Sequence, residues 1–396
     1  MAKVLLVTDI FPPQIGGPAT FIDRLGHSLA QRGHKVTVVC SSARRSDPSD
    51  VERPFTVRRV SIASRERYEV EVRARLALEM ARHRLVFVNG LERYVADVNR
   101  VVRRPYVLKI VGDRAWELAR NRGLTNLSID EFQKDAAAQR QFAGDIGERN
   151  RCVNGARHIV VPSEYLRGIV EGWGVPRSRV SVILNGTVAP APRVVPTMRG
   201  RFEALRVAFV GRLTNWKGIE TLLLAAQHLP HIAIDIVGDG PEWPHLTELA
   251  AQLRLGDRVT FTGRLAAPQV QEAMRRAHLL VLTSLYEGLS HTVLEAFANG
   301  LPCVVSDRGG NEEAVTNGRN GLVVPAQNVE RLVTALDAIA ADEPLRRRMA
   351  SAALDTAREF DIAATVARTE RILLCGTAQT EQLVQSAAAF GQVERP

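Results

Sequence analysis

A chain of 396 residues is too long for one ordinary hydrophobic core and calls for two domains of about 150–200 residues each. With 45% hydrophobic, 24% charged and 5% aromatic residues, and no apolar run near the ~20 residues of a membrane span, low-complexity and membrane-embedded classes are excluded. The net charge of +9 is held unevenly: residues 1–186 carry 31 Lys+Arg against 20 Asp+Glu, and the remainder is close to neutral.

The basic first half suits an anionic lipid or an anionic acceptor. Solvated surface charge explains it without any partner. Lys and Arg are spread along that half with no interleaved aromatic motif, so nucleic acid is not expected as a partner. The N-terminus MAKVLLVTDIFPP has a short apolar run ending at Asp9 and then prolines, the pattern of a buried strand entering a loop, with no small-residue cleavage site after it. The expectation is a cytosolic protein, with peripheral contact at the inner membrane face as the further option. Cys40, Cys152, Cys303 and Cys375 are scattered, with no C-x-x-C pair, and read as buried small apolar residues, neither a disulfide framework nor a zinc site.

In chain order, Val4–Thr8, Val36–Val39, Leu85–Val88, Tyr106–Val111 and His158–Pro162 are short apolar runs that read as buried parallel strands. Helical patterns separate them, for example Thr20–Arg32 and the basic stretch 63–84, expected to pack on the sheet with a charged outer face. A proline-rich segment, residues 188–202, has neither period and reads as a linker. A second series follows at Arg206–Val210, Ile232–Val237, Arg258–Thr262, Leu279–Thr283, Pro302–Ser306 and Gly321–Val324. Strands alternating with helices twice over predict an α/β protein of two Rossmann-like, doubly wound parallel-sheet domains. The boundaries are 1–187 and 203–374, with a last helix from about 360 crossing back to the first domain, in a segment running to 396. Ligands of such sheets bind at the carboxyl ends of the strands, so the cleft between the domains is the expected site.

The loop after the first strand carries Gly16-Gly17 before a helix, where backbone can approach a phosphate; a plain turn explains it equally. The second domain opens with VAFVGRLTNWKGIETLL, which places Arg212 and Lys217 between a strand and a helix. Two cations there suit a diphosphate, or form a surface salt bridge. The densest pattern runs from Thr283 to Pro302: Glu287-Gly288, then Ser290 as an N-cap, then a helix bearing Glu295 about one turn in and ending at Gly300. The helix start offers free N–H groups to an anion, and Glu295 lies ~5–7 Å further along the axis. Gly238-Asp239-Gly240 reads as a turn after a strand and not a metal site.

Glu287 and Glu295 form an E-x7-E motif. With G-R-L-x3-K-G (Gly211–Gly218), V-G-D-G-P (Val237–Pro241), F-T-G-R-L (Phe261–Leu265), L-P-C-V-V-S-D-x-G-G (Leu301–Gly310) and N-G-x-N-G (Asn317–Gly321), the chain resembles the retaining family-4 glycosyltransferases (glycosyl transferases group 1) over nearly residues 3–375. The resemblance implies the GT-B fold and transfer of a sugar from a nucleoside-diphosphate sugar, UDP by family frequency, to an acceptor hydroxyl. It implies that Glu287 binds hydroxyls of the donor sugar and Glu295 the ribose. Arg212 and Lys217 would hold the diphosphate. Gly16, Gly17 and the amides at Leu289, Ser290 and His291 would approach the phosphates, and Arg264 and Leu265 would contact the base. It implies no metal and no cofactor besides the sugar nucleotide itself. The acceptor is left open among glycan, lipid-linked and small polar molecules.

One position departs from the family. Where relatives carry a histidine that reaches the transferred sugar, this chain has Lys109-Ile-Val-Gly112-Asp113, so glycine stands in its place. Asp113 is then the nearest catalytic-type side chain and is the fourth catalytic candidate; the alternative is a helix N-cap. A sugar-nucleotide 2-epimerase or hydrolase of the same architecture is the competing enzyme reading, and a nucleotide-sugar binding protein the competing non-enzyme one.

Overall fold

The computed structural model of the chain describes residues 1–14, 16–188 and 204–375. Among the described residues, thirteen strands form two wholly parallel sheets. The first contains β1 (Lys3–Thr8), β2 (Lys35–Ser42), β3 (Thr56–Ser61), β4 (Leu85–Asn89), β5 (Val107–Lys109), β6 (His158–Val161) and β7 (Val180–Val182), in the order β3-β2-β1-β4-β5-β6-β7. The second contains β8 (Leu205–Val210), β9 (Ile232–Val237), β10 (Val259–Gly263), β11 (Leu279–Leu282), β12 (Cys303–Ser306) and β13 (Gly321–Val324), in the order β10-β9-β8-β11-β12-β13. Central strands such as β1 and β11 are buried along almost their whole length because helices cover both faces, which is why they read as unbroken apolar runs. Strand order reverses between β1 and β4 in one sheet and between β8 and β11 in the other. The loops leaving β1, β8 and β11 therefore open at the two crevices where such sheets bind ligands.

The sequence reading passes over β3 and β7, the two edges of the first sheet. An edge strand has one neighbour and needs less apolar side chain; β3 carries Arg58 and Arg59, and Arg59 is accommodated by ion-pairing to Asp50 at 2.7 Å. The basic helix forms as Arg65–Arg82 and packs through Val72, Leu76 and Met80, whereas the apolar Val70 and Leu78 face outward. Among the described residues no helix is long and apolar enough to cross a membrane. The four cysteines are free, three of them buried.

The first sheet's last strand ends at Val182 and the second sheet's first begins at Leu205; the expected linker 188–202 lies outside the described residues beyond Val188, and the chain returns to the first domain at Phe360. There the Thr187 N–H donates to the Phe360 carbonyl at 2.7 Å and the Ile362 N–H to the Thr187 carbonyl at 3.0 Å. The helix Ile362–Leu374 then seats Val366, Ile372 and Leu373 in the first domain's core with Leu6, Phe21 and Leu25. Arg157 donates to the Leu373 and Cys375 carbonyls at its end, at 2.7 and 2.9 Å. Residues 376–396 of the expected terminal segment lie outside the described residues.

The domains also meet through aromatic rings. Trp216 and Tyr286 of the second domain pack on Trp116 of the first, with ring centroids 5.7 and 5.6 Å apart. The Tyr286 hydroxyl donates to the Val111 carbonyl at 2.7 Å. Glu313 of the second domain accepts from the Glu164 and Tyr165 amides at 3.0 and 2.9 Å, capping the helix Glu164–Gly172 across the interface.

Candidate active site

Between the domains lies a cavity of 410 Å³, walled by Gly17, Asn89, Lys109 and Glu117 from one side and Arg212, Lys217, Glu287, Leu289, Ser290 and His291 from the other. Its second-domain wall is built from interlocked loops. The turn Gly238-Asp239-Gly240 presses against the Gly211–Leu213 backbone so closely that a Cβ at Gly238, at φ +146°, would overlap the Gly211 carbonyl. Asp239 accepts from the Gly240 amide at 2.8 Å, so this acidic turn braces the Arg212 loop, and among the described residues no group of three or more His, Cys, Asp or Glu is placed to hold a metal. Gly218, at φ +72°, lies on the Thr283 carbonyl and brings the β8 and β11 loops together.

That approach places Lys217 Nζ 2.6 Å from Glu287 Oε1, which also accepts from Ser284 Oγ at 2.8 Å. The Glu287 carbonyl accepts from the Gly310 amide at 2.8 Å, which fixes the backbone behind the carboxylate. Arg212 stands exposed at the mouth, with no ion-pair partner among the described residues. Ser290 occupies the N-cap position of the helix His291–Ala298, but its side chain makes no capping bond; its amide donates to Asn311 Oδ1 at 2.9 Å. The first N–H groups of that helix are left facing the cavity without intrahelical partners, as at any helix start.

Across the cleft, the helix Gly17–Gln31 also points its N-terminus into the cavity. Two helix termini facing one space concentrate positive potential where an anion would lie. A Cβ at Gly17 would overlap the His291 imidazole, so only glycine lets the walls come this close. Gly17→Ala is therefore expected to hold the domains apart and weaken nucleotide binding by about 10- to 100-fold, measured by calorimetry, with the thermal midpoint little changed. Burial, with Lys109 nearby, pushes the His291 imidazole down to about 3, so it is neutral at physiological pH.

Lys109, at the end of β5, is buried; its amine donates to Asn185 Oδ1 at 2.9 Å, sits 4.0 Å from the Phe21 ring centroid and is lowered to about 7 by desolvation. Asn185 in turn donates to the Leu289 carbonyl at 2.8 Å, tying the first domain to the loop before the helix His291–Ala298. Sequence reasoning did not single out Lys109, Asn185, Asn89 or Glu117 for the site. They come from four separate segments and share no local motif.

The remaining predicted residues do not line the cavity. Gly16 is the N-cap position behind Gly17. Arg264 and Leu265 follow β10 on the flank of the second sheet, linked to the site where the Gly238 amide donates to the Gly263 carbonyl at 3.0 Å. Glu295 is half-buried one turn into its helix; its carboxylate has no partner among the described residues, and burial raises its pKa.

Asp113 requires a correction. It is fully buried, and its carboxylate accepts from the Ala115 and Trp116 amides at 2.9 and 3.4 Å, from Gln133 Nε2 at 2.8 Å and from Arg149 Nη1 at 2.6 Å. It caps the helix Arg114–Asn121 and neutralises a buried guanidinium, with no oxygen turned to the cleft. The acid that faces the cavity from this helix is Glu117.

Comparison with known proteins agrees with this geometry. The model for a glycosyl transferase 4-like domain matches residues 16–186, and that for glycosyl transferases group 1 matches residues 203–356. The chain is 26% identical over 381 residues to glycogen synthase of Mycobacterium tuberculosis, covering 89% of each chain. Among solved structures, sucrose-phosphate synthase from Thermosynechococcus elongatus superposes with a TM-score of 0.76 at 20% identity, covering 94% of this chain and 98% of that one. The Anabaena protein Alr3699/HepE, in complex with UDP and glucose, does so with a TM-score of 0.73 at 20% identity, covering 94% and 99%. Two parallel-sheet domains, a cleft at both switch points and family matches over each half identify the chain as a glycosyltransferase of group 1, the 4-like GT-B type.

Proposed function

We propose that the protein is a retaining glycosyltransferase that moves a sugar from a UDP-sugar to an acceptor hydroxyl without a divalent metal. The observation that carries this is the Lys217–Glu287 pair, 2.6 Å apart, beside Arg212 and the start of the helix His291–Ala298 at the interdomain cavity. A donor diphosphate beside Arg212, Lys217 and the two helix termini meets fixed positive charge, which stabilises the negative charge that grows as it leaves. Glu287 then turns its carboxylate to the sugar hydroxyls. In the reaction the bond from the anomeric carbon to the diphosphate oxygen breaks and a bond from the acceptor oxygen forms on the same face. The acceptor's proton passes to the departing diphosphate. UDP is the favoured nucleotide because a fold neighbour binds UDP and glucose. The 2-epimerase alternative has no counterpart among the relatives named above. A lipid-linked or otherwise anionic acceptor fits the basic first half and is the class to screen first.

Proton NMR of UDP-hexose turnover in EDTA tests this. The first-formed product is expected to keep the donor's α configuration at an undiminished rate. A β product first, or loss of rate in EDTA, overturns the retaining or metal-free part respectively.

A further inference from the structure

We propose that Glu117 recognises the transferred sugar from the wall opposite Glu287, accepting hydrogen bonds from its hydroxyls and so setting which sugar nucleotide is used. This rests on the donor-site reading above and adds a first-domain residue to it.

A second cavity of 250 Å³ lies within the first domain, lined by Asp9, Glu92, Arg114, Glu148 and Trp173 among others. Five residues line both it and the interdomain cavity: Pro18, Asn89, Lys109, Val111 and Glu117. Glu117 is the acid among them, and the Lys109 amine is already held by Asn185. A group at the mouth joining donor and first-domain spaces is where the transferred sugar must lie, since it is bonded to the donor before reaction and to the acceptor after it.

Neighbouring acids have partners: Glu287 has Lys217 and Ser284, Asp113 has Arg149 and Gln133, and Glu92 has Arg114 at 3.7 Å. The Glu117 carboxylate takes part in no hydrogen bond or ion pair among the described residues. A half-buried carboxylate without a partner is costly to ionise: burial, then the Asp113 charge, push it up to about 7, against the opposing pull of Lys217. The charged and titratable groups around it are Asp113 and Arg114 on its own helix, Lys217 and Tyr286 across the cleft, and Glu92 beneath. A carboxyl poised there serves as donor or acceptor to a sugar's hydroxyls.

The Glu117 carboxylate is also preorganised. A Cβ at Gly112 would overlap Glu117 Oε1, so the absence of a side chain at 112 makes the space this carboxylate fills. The carbonyl of the preceding Val111 is pinned by the Tyr286 hydroxyl, and the helix bearing Glu117 is fixed at its start by Asp113. Lys217, already paired to Glu287, is close enough to act on Glu117's charge, so the sugar site lies between one carboxylate from each domain.

Calorimetric titration with UDP, UDP-glucose, UDP-galactose and UDP-N-acetylglucosamine tests the assignment. Glu117→Ala is expected to lose at least tenfold affinity for the UDP-sugar that the wild type binds best and to bind UDP as the wild type does. Glu117→Gln should keep part of the sugar affinity. Gly112→Ala keeps the carboxylate but displaces it, and should shift sugar affinity in the same direction as Glu117→Ala. Unchanged UDP-sugar affinity in Glu117→Ala overturns the proposal, as does an equal loss of UDP and UDP-sugar. A wild type that binds neither UDP nor any of the sugars overturns the UDP-donor reading itself, and the proposal with it.

Discussion

Lys217→Ala is expected to lower turnover of the sugar nucleotide by ~10²–10³-fold, the usual cost of deleting one fixed charge aimed at a developing anion. The prediction follows from how rigidly the side chain is presented. Gly218 lies against the Thr283 carbonyl, the Leu285 amide donates to the Trp216 carbonyl at 2.7 Å, and the ammonium ends 2.6 Å from Glu287. A charge held this way reorganises little during reaction. Arginine is not a substitute, because its planar fork needs space that Ser284 and Glu287 already occupy. The fold should survive, since Lys217 is partly exposed and its loss leaves Glu287 with the Ser284 hydroxyl. The check is the initial rate of nucleoside-diphosphate release alongside a thermal melt; a rate within about threefold of wild type with an intact melt contradicts the role.

Asp113→Ala carries the other large expected effect, and it falls on stability: a loss of about 3–5 kcal/mol in urea unfolding. Removing the carboxylate leaves the Arg149 guanidinium buried without its counter-charge, releases Gln133 and uncaps the helix Arg114–Asn121. The Arg149 guanidinium also lies 4.2 Å from the Trp173 ring centroid, so it cannot turn to solvent without disturbing that packing. If Asp113 were instead a cleft acid, the variant would lose activity at unchanged stability. Its buried, four-bonded carboxylate favours the former outcome.

These two residues also show what was legible in the sequence. Lys217 and Glu287 sit in short contiguous stretches leaving β8 and β11, so strand–loop–helix order alone puts them at one sheet's carboxyl end. Central strands were readable because burial on both faces demands apolar runs; the edge strands β3 and β7 escaped because one-sided pairing tolerates arginine and serine. The first-domain wall was not readable. Asn89, Lys109, Glu117 and Asn185 converge only once four segments of the chain are assembled. Asp113 was read as a candidate because nothing local reveals that Arg149, 36 residues on, and Gln133, 20 residues on, occupy its outer oxygen. Glu117 is the acid facing the cavity because the residue beneath it, Gly112, has no side chain.

The most direct test of the donor site is a thermal-shift and calorimetric panel of UDP, GDP, ADP, dTDP and CMP on the wild type and on Arg212→Ala. At 100 times its Kd, a ligand should stabilise the protein by about 2.7 kcal/mol. The expected result is stabilisation by one diphosphate, UDP, with the shift abolished in Arg212→Ala. No shift with any nucleotide, or an equal shift in Arg212→Ala, would contradict a diphosphate bound between Arg212, Lys217 and the facing helix termini.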